Sequence, residues 1–237
     1  MVVYLHGFNS SPDSFKANLL KRYLEAQGRA REFSCPSLPW RFAEAAALID
    51  AELRRLADSP ITLVGSSLGG YYAAHFAEKY CLPAVLVNPA AYPYLSLAKY
   101  LGPQKNPYTG ADYLLTVQHI EELKALEVAR ITRPERYLLL TQTGDEVLDY
   151  REAVAKFAGA EQVVIGQQMV SLLERLVERL PREFRDVVAL STVQEMTSAE
   201  IAQVLQIPEA TVRTRLLRAR RLLREKMQAL MEGHYEA

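Results

Sequence analysis

The sequence predicts a parallel α/β fold with helices on both faces of the sheet, followed by a small all-α domain. Three observations carry this. Short β-branched runs alternate with amphipathic helical segments over the first two-thirds of the chain. One of these runs, Ile61-Thr62-Leu63-Val64, leads straight into Gly65-Ser66-Ser67-Leu68-Gly69, the pattern of a strand, a sharp turn and a helix. From Gln168 onward the strand-forming runs stop, Arg replaces Lys, and helical periodicity takes over.

In order, Val2 to Leu5 reads as a buried strand that ends in His6-Gly7-Phe8-Asn9-Ser10-Ser11. Asp13 or Ser14 can begin the next helix, with Phe15, Leu19, Leu20 and Leu24 on one face, and Gly28 ends it. Arg31 to Ser34 suits a short strand, Pro36 to Pro39 a loop, and Phe42 to Leu56 an Ala-rich amphipathic helix. The elbow strand and a helix from Leu68 to about Tyr80 follow. Pro83 to Val87 is the next buried strand, leading to Asn88-Pro89-Ala90. From Tyr92 to Glu127 the pattern breaks up around one helical piece, His119 to Leu126, as expected of an insertion over the site. Tyr137 to Thr141, Tyr150 to Phe157 and Gln162 to Ile165 give strand, helix and last strand.

The elbow carries the chemistry. A strained turn of this kind presents its central side chain, Ser67, at the carboxyl edge of the sheet, while Gly65 and Gly69 keep the neighbouring backbone clear. The Leu68 amide, at the helix start, can donate to an oxyanion. A second donor is expected from the backbone at Gly7 and Phe8, in the loop after the first strand. Asp145, in Gln142-Thr143-Gly144-Asp145-Glu146-Val147, follows a strand at the same edge, later in the chain than Ser67. It is the candidate acid of a Ser-His-Asp triad, with Glu146 and Asp149 as competitors. The structural alternatives are a passive serine in a glycine-rich turn, and an Asx turn or helix cap for Asp145.

Bulk properties narrow the classes. The 237 residues are 49% hydrophobic, enough for a sizeable core, and formal net charge is zero. The charge is uneven: Arg213 to Lys226 holds seven Lys/Arg and one acid, Glu225. Cys35 and Cys81 are the only cysteines, with no metal or disulfide spacing, which fits a reducing cytoplasm. No secretory leader pattern and no run near the ~18 apolar residues of a membrane span occurs. No metal or cofactor motif is present.

Residues 1 to about 167 resemble the YqiA-type esterases, a small bacterial family of α/β-hydrolase fold. The resemblance rests on Tyr4 to Ser11, Gly65 to Tyr72, Val87 to Ala90, Asn106-Pro107-Tyr108-Thr109-Gly110 and Gln142 to Tyr150. It implies hydrolysis of short acyl esters, with Ser67 as nucleophile and Asp145 as acid. The family continues from its last strand into a Gly-Gly-Asn-His loop that supplies the catalytic histidine. Here Val164-Ile165-Gly166-Gln167 runs directly into Gln168-Met169-Val170-Ser171, with no histidine. Serine without a base is a poor nucleophile at neutral pH. Of the four histidines, His6 belongs to the oxyanion loop and His75 lies about 12 Å along the elbow helix. His119 is in the insertion and His234 in the tail. Each reads as structural or solvated, so the esterase chemistry is expected to be impaired.

In the last third, Met169, Leu172, Leu173, Leu176 and Leu180 form an apolar stripe, and Pro181 begins a second helix through Val187, Val188 and Leu190. Thr197-Ser198-Ala199-Glu200 is a capping box that opens a third helix carrying Ile201, Ala202 and Leu205. After the tight turn Gln206-Ile207, Pro208 suits the first turn of a fourth helix. That helix places Val212, Leu216, Ala219, Leu223 and Met227 on one stripe and arginines around the rest. Two short helices joined by a tight turn, the second basic, follow helix-turn-helix logic. Glu209, Thr211, Arg213 and Thr214 would face base edges; the later arginines Arg215, Arg218, Arg220 and Arg221 would neutralise phosphates. The alternative is an Arg-rich helix exposed in an ordinary bundle.

Leu180 to Arg185, Ser198 to Leu205 and Ile207 to Arg224 resemble region 4 of extracytoplasmic-function sigma factors, over roughly Ser171 to Met227. The resemblance implies reading of the −35 promoter element and contact with RNA polymerase. Glu195 and Gln206 stand where many members carry glycine, and the sigma region that melts the −10 element has no counterpart in the sequence. The expectation is therefore a chimeric chain: a truncated hydrolase over 1–167 and a helix-turn-helix domain over 168–237, joined without a flexible linker. The abrupt join suits a recombined or artificial chain as well as a natural fusion. The stripe from Met169 to Leu180 could dock where the fold's missing final helix would cover the sheet. The partners implied are a small ester, promoter DNA and RNA polymerase core, with no membrane. A catalytically silent hydrolase fold acting as a ligand sensor or scaffold is the competing reading.

Overall fold

The strands are β1 (Val2–Leu5), β2 (Phe33–Ser34), β3 (Thr62–Ser67), β4 (Ala84–Pro89), β5 (Gly102–Lys105), β6 (Asp112–Leu115), β7 (Tyr137–Gln142) and β8 (Glu161–Ile165). Six of them form one sheet in the order β2-β1-β3-β4-β7-β8, every pair parallel. A computed structural model describes residues 1–106, 110–145, 148–192 and 196–235 of the chain. Two compact units are present, Met1–Ile165 and Gly166–Ala237. Among the described residues no helix is long and apolar enough to cross a membrane, and no acidic, His or Cys cluster could hold a metal ion.

In the first unit, parallel pairing lines up the carboxyl ends of β1, β3, β4 and β7 at one edge. Leu5, Ser67, Pro89 and Gln142 end those strands, so the loop after β1, the elbow and the Asp145 loop all start from that edge. Val3, Leu5, Leu63, Leu86 and Leu139 are fully buried in the sheet. The helices α1 (Phe15–Ala26), α2 (Phe42–Arg55) and α3 (Leu68–Tyr80) flank it. On α2, Phe42, Ala45, Ile49 and Leu53 recur at three- and four-residue intervals and are buried. Each large one is worth about 2 kcal/mol of apolar burial. On α1 the buried face is Ala17 and Leu24, whereas Leu19 is 52% exposed. At about 100° per residue Leu19 points almost opposite to Ala17, so the predicted four-residue apolar face is narrower than the sequence implied.

The insertion is more regular than its sequence suggests. It holds the short helix α4 (Pro93–Leu97), the antiparallel hairpin β5–β6 and the helix α5 (Val117–Lys124). The alternation of exposed Asp112 and Leu114 with buried Tyr113 and Leu115 is the strand signal that the irregular flanks obscured. Pro107, Tyr108 and Thr109 of the hairpin turn lie outside the described residues. α6 (Tyr150–Lys156) closes the unit before β8, whose Val163, Val164 and Ile165 are each 43% exposed.

Among its described residues the second unit has four helices: α7 (Gln167–Glu178), α8 (Arg182–Thr192), α9 (Ser198–Leu205) and α10 (Glu209–Tyr235). Val187, Ile201, Val212 and Leu216 form its separate core. On α7, Leu176 and Leu180 beyond it are buried while Leu173 is 42% exposed; the side chain of Met169 lies outside the described ones. The capping box is formed as predicted: Thr197 Oγ1 accepts from the Glu200 amide at 3.2 Å, and Glu200 Oε2 accepts from the Thr197 amide at 2.7 Å. Gln206 adopts the left-handed region at φ 54°, which turns the chain between α9 and α10. Glu195, the other position noted for lacking glycine, lies outside the described residues.

Candidate active site and nucleic-acid interface

Ser67 stands at the junction of β3 and α3 with φ 54° and ψ −121°. This is a sparsely populated conformation for a side chain with a Cβ, and it is the strain expected at a nucleophile elbow. The β3–β4 register shifts between Ser66 and Ser67, and Ser67 O accepts from the Ala90 amide at 3.1 Å. Close approach explains the two flanking glycines. A Cβ at Gly65 would collide with the Gly69 carbonyl, and one at Gly69 would collide with the carbonyl of Leu5. Gly7 meets the serine from the other side: a Cβ there would lie 3.3 Å from Ser67 Cβ and 3.8 Å from its Oγ.

A partly enclosed cleft of about 20 Å³, room for about one water molecule, opens beside the elbow, lined by Gly7, Phe8, Leu68, Tyr72, Trp40 and Asn106 among others. The three predicted oxyanion residues, Gly7, Phe8 and Leu68, therefore come together on one cleft wall. The insertion covers them: the Tyr113 ring stacks on Trp40 with centroids 4.5 Å apart and meets Phe8 edge-on at 6.2 Å. Tyr113 also donates from its hydroxyl to Asn9 Oδ1 at 3.0 Å. Tyr72, Trp40 and Tyr113 were not singled out from the sequence, because apolar aromatics read as core until the loops are placed.

Asp145 follows β7, and its Oδ1 accepts from the Leu148 amide at 3.0 Å. The local turn foreseen as its structural alternative is thus present. Asp149 caps α6 by accepting from the Arg151 amide at 2.9 Å, so that competitor is committed to the helix. Glu146 lies outside the described residues. Asn88, at φ 42°, accepts from the Gln142 amide at 3.0 Å and ties the ends of β4 and β7 together.

The described imidazoles are engaged elsewhere. Buried His6 accepts from the Leu38 amide at Nε2 (3.0 Å), so its Nδ1 carries the hydrogen and donates to Gly7 O (3.0 Å). Burial lowers its pKa below the ordinary histidine value. His75 places Nδ1 3.1 Å from Leu126 O, and burial lowers its pKa too. His119 caps α5, its Nδ1 accepting from the Thr116 amide at 3.1 Å, and its ring lies edge-on to Trp40. The side chain of His234 lies outside the described ones. Cys35 is no rival nucleophile: burial pushes its thiol up to about 12.

On α10 the predicted apolar stripe faces inward, with Val212, Leu216 and Ala219 buried. Arg213, Arg218, Arg220, Arg221 and Arg224 are exposed. Arg213 pairs with Glu209 at i,i+4, and Arg221 with Glu225 (2.8 Å). Arg215, one of the arginines expected to meet phosphates, already pairs within the unit. It is only 27% exposed and reaches Glu183 Oε2 of α8 at 3.5 Å. Thr214 donates back to Ala210 O at 2.9 Å, which leaves its oxygen lone pairs outward. The candidate DNA residues divide over the helix: Glu209, Arg213 and Arg220 on one flank, Thr211, Arg215 and Arg218 on the other, Thr214 and Arg221 between. The second flank joins Glu183 and Phe184 in a shallow surface depression.

Comparison with known proteins places both parts. The family profile described as "Uncharacterised protein family (UPF0227)" matches residues 1–182, and that of sigma-70, region 4 matches 171–223. The first match runs through α7, past the point near Gly166–Gln168 where the sequence reading ended that resemblance. The ECF RNA polymerase sigma factor SigW of Bacillus subtilis is 31% identical over 102 residues, covering 43% of this chain and 54% of its own. The ECF RNA polymerase sigma-E factor of Escherichia coli K12 is 28% identical over 79 residues, 33% and 41% of the two chains. The chain spans about half the length of the curated relatives it matches. Among solved structures, mouse alpha/beta hydrolase domain-containing protein 10 aligns with a TM-score of 0.55 at 17% identity, covering 76% of this chain and 90% of that one. A putative hydrolase from Agrobacterium vitis S4 aligns at 0.54 and 16% identity, over 75% and 86%. These likenesses establish the α/β-hydrolase fold of the first unit.

Proposed function

The chain belongs to the uncharacterised protein family UPF0227, and from that premise we propose that its first unit is a serine-esterase-like hydrolase whose nucleophile is Ser67. The observation that carries this reading is the strained Ser67 backbone beside a cleft walled by Gly7, Phe8 and Leu68. Ser67 Oγ attacks the ester carbonyl, the backbone amides at those three positions hold the oxyanion, and Asp145 is the acid that would orient a base. The base has no evident source: no histidine stands in the segment directly after β8, His6, His75 and His119 hold other groups, and His234 belongs to the C-terminal tail. Turnover is therefore weak. The test is hydrolysis of p-nitrophenyl acetate by the full chain and by Ser67→Ala. A slow turnover that disappears in the variant supports the reading; equal rates overturn it.

The second unit is proposed to bind −35-like promoter DNA and RNA polymerase core, supported by the sigma region 4 match and the exposed arginines of α10. It predicts salt-sensitive binding to a −35-like duplex that weakens in Arg213→Ala or Arg218→Ala, and no duplex shift at low salt would remove it. Both activities belong in the cytoplasm, where the free thiols Cys35 and Cys81 persist. The engaged imidazoles also favour a second reading, a silent hydrolase fold serving as ligand sensor or scaffold for the DNA-binding unit. A change of DNA affinity on adding a small carboxylic acid separates it from the first.

A further inference from the structure

The arginines of α10 do not all hold their acids in the same way. Arg213 and Arg221 pair with Glu209 and Glu225, one turn away on α10 itself, and their side chains stay 69% and 80% exposed. Arg215 pairs across helices, with Glu183 of α8, and is 27% exposed. Val187 of α8 packs with Val212 and Leu216 of α10 in the core of the unit. Buried contacts therefore set the spacing of the two helices, and with it the direction in which Arg215 is drawn.

Glu183 lies in the first turn of α8, where a carboxylate suits the helix dipole. That accounts for an acid at this position. It does not account for an acid on the edge of an otherwise basic surface. Glu183, Arg215 and Arg218 line one depression of about 270 Å³ together with Phe184, Thr211 and Thr214. Toward a phosphate, the two arginines attract and the carboxylate repels. The depression is open and has room for a phosphate group, and an ion pair this exposed is weak enough for a phosphate to displace one partner.

We infer that the depression between α8 and α10 receives a backbone phosphate of bound DNA, held by Arg218 and by Arg215 once it leaves Glu183. Glu183 is then an internal competitor: it occupies Arg215 in the free protein and lowers the affinity for DNA. The inference rests on the proposed DNA-binding reading of the second unit and adds to it where a phosphate sits and what opposes it.

The experiment measures binding of the full chain to a labelled −35-like duplex, and to a scrambled duplex of the same length, over a range of salt concentrations. Four proteins are compared: the parent, Glu183→Gln, Arg215→Ala and the double variant. Removing any acid near DNA gives some gain through bare charge, so the informative quantity is the gain from Glu183→Gln with and without Arg215. The expected gain is about tenfold when Arg215 is present and about threefold or less in the Arg215→Ala background. With Arg215 present, Glu183→Gln also steepens the salt dependence by about 0.9 in log–log slope, as one added phosphate contact does. Phosphates carry no sequence, so both duplexes show the same gain. Equal gains in the two backgrounds, or weaker binding by Glu183→Gln, overturn the inference while binding by the parent spares the DNA reading. A gain confined to the −35-like duplex assigns Arg215 to a base edge and also overturns it. No binding of either duplex by any of the four proteins at low salt removes the DNA reading and the inference with it.

Discussion

Gly7 and Ser67 are in contact across the carboxyl edge of the sheet: a Cβ on Gly7 would sit 3.3 Å from Ser67 Cβ. The loop after β1 can lie this close to the elbow because the turn glycine Gly69 presents no side chain toward Leu5. That tight fit fixes the ranking of glycine substitutions. In Gly69→Ala the new methyl meets the Leu5 carbonyl, which belongs to a buried strand and cannot yield. The variant should lose more than about 3 kcal/mol or fail to fold. Gly7→Ala meets its neighbours at near-contact distance and should lose about 1 kcal/mol or less. Urea unfolding of both variants checks the order.

The pH dependence of hydrolysis tells whether a base serves Ser67. A histidine base would make the rate level off above its pKa, near the ordinary value of about 6.5. With His6, His75 and His119 holding other partners, the rate should instead climb steadily between pH 6 and 9. Initial rates with p-nitrophenyl acetate, corrected with Ser67→Ala, provide the curve. A plateau beginning near pH 7 would identify a base and end the account of impaired chemistry.

Gln206 bears the strain of the turn between α9 and α10, at φ 54° and exposed to solvent. Replacing it by glycine removes the strain and sacrifices no packing. Glycine also frees the unfolded chain, which offsets part of the gain. Gln206→Gly should stabilise the helical unit by about 0.5–1 kcal/mol, read by thermal unfolding.

Asp50 is the hub of a surface network. Lys79 Nζ lies 2.5 Å from Oδ1, Tyr80 donates to the same oxygen at 2.7 Å, and Arg54 Nε donates to Oδ2 at 2.8 Å. The hydrogen bonds from Lys79 and Tyr80 hold its carboxyl down at about 2, against 3.8 ordinarily. A depressed carboxylate stabilises the fold above its unfolded pKa, and the contribution is lost as the pH falls through the folded one. Asp50→Asn should therefore cost about 1 kcal/mol at pH 7. The gap between parent and variant should narrow below pH 4 and vanish only below pH 2 in denaturant titrations.

The docking expected of the first C-terminal helix is open to limited proteolysis. Residues 166–171 hold no Lys, Arg or aromatic residue, so the probe is a broad-specificity protease such as proteinase K, which should leave them intact under native conditions if the expected docking holds. Ready cleavage there, with two stable fragments released, would refute the docking.

Local sequence was enough for the elements and for the parts of each site that are contiguous in the chain. The elbow, the capping box at Thr197 and the inward stripe of α10 depend on spacing along a few residues, and spacing is visible in sequence. That no histidine stands between Ile165 and Ser171 was likewise a matter of chain order. The cleft was not legible, because its walls come from four distant segments: the loop after β1, the Leu38–Trp40 loop, α3 and the insertion. Only parallel pairing of β1 with β3, and the stacking of Tyr113 on Trp40, bring them together. The same holds for Arg215, whose attachment to Glu183 follows from helix packing. Periodicity records which face of an element is apolar; what that face meets is settled by long-range contacts that no local pattern encodes.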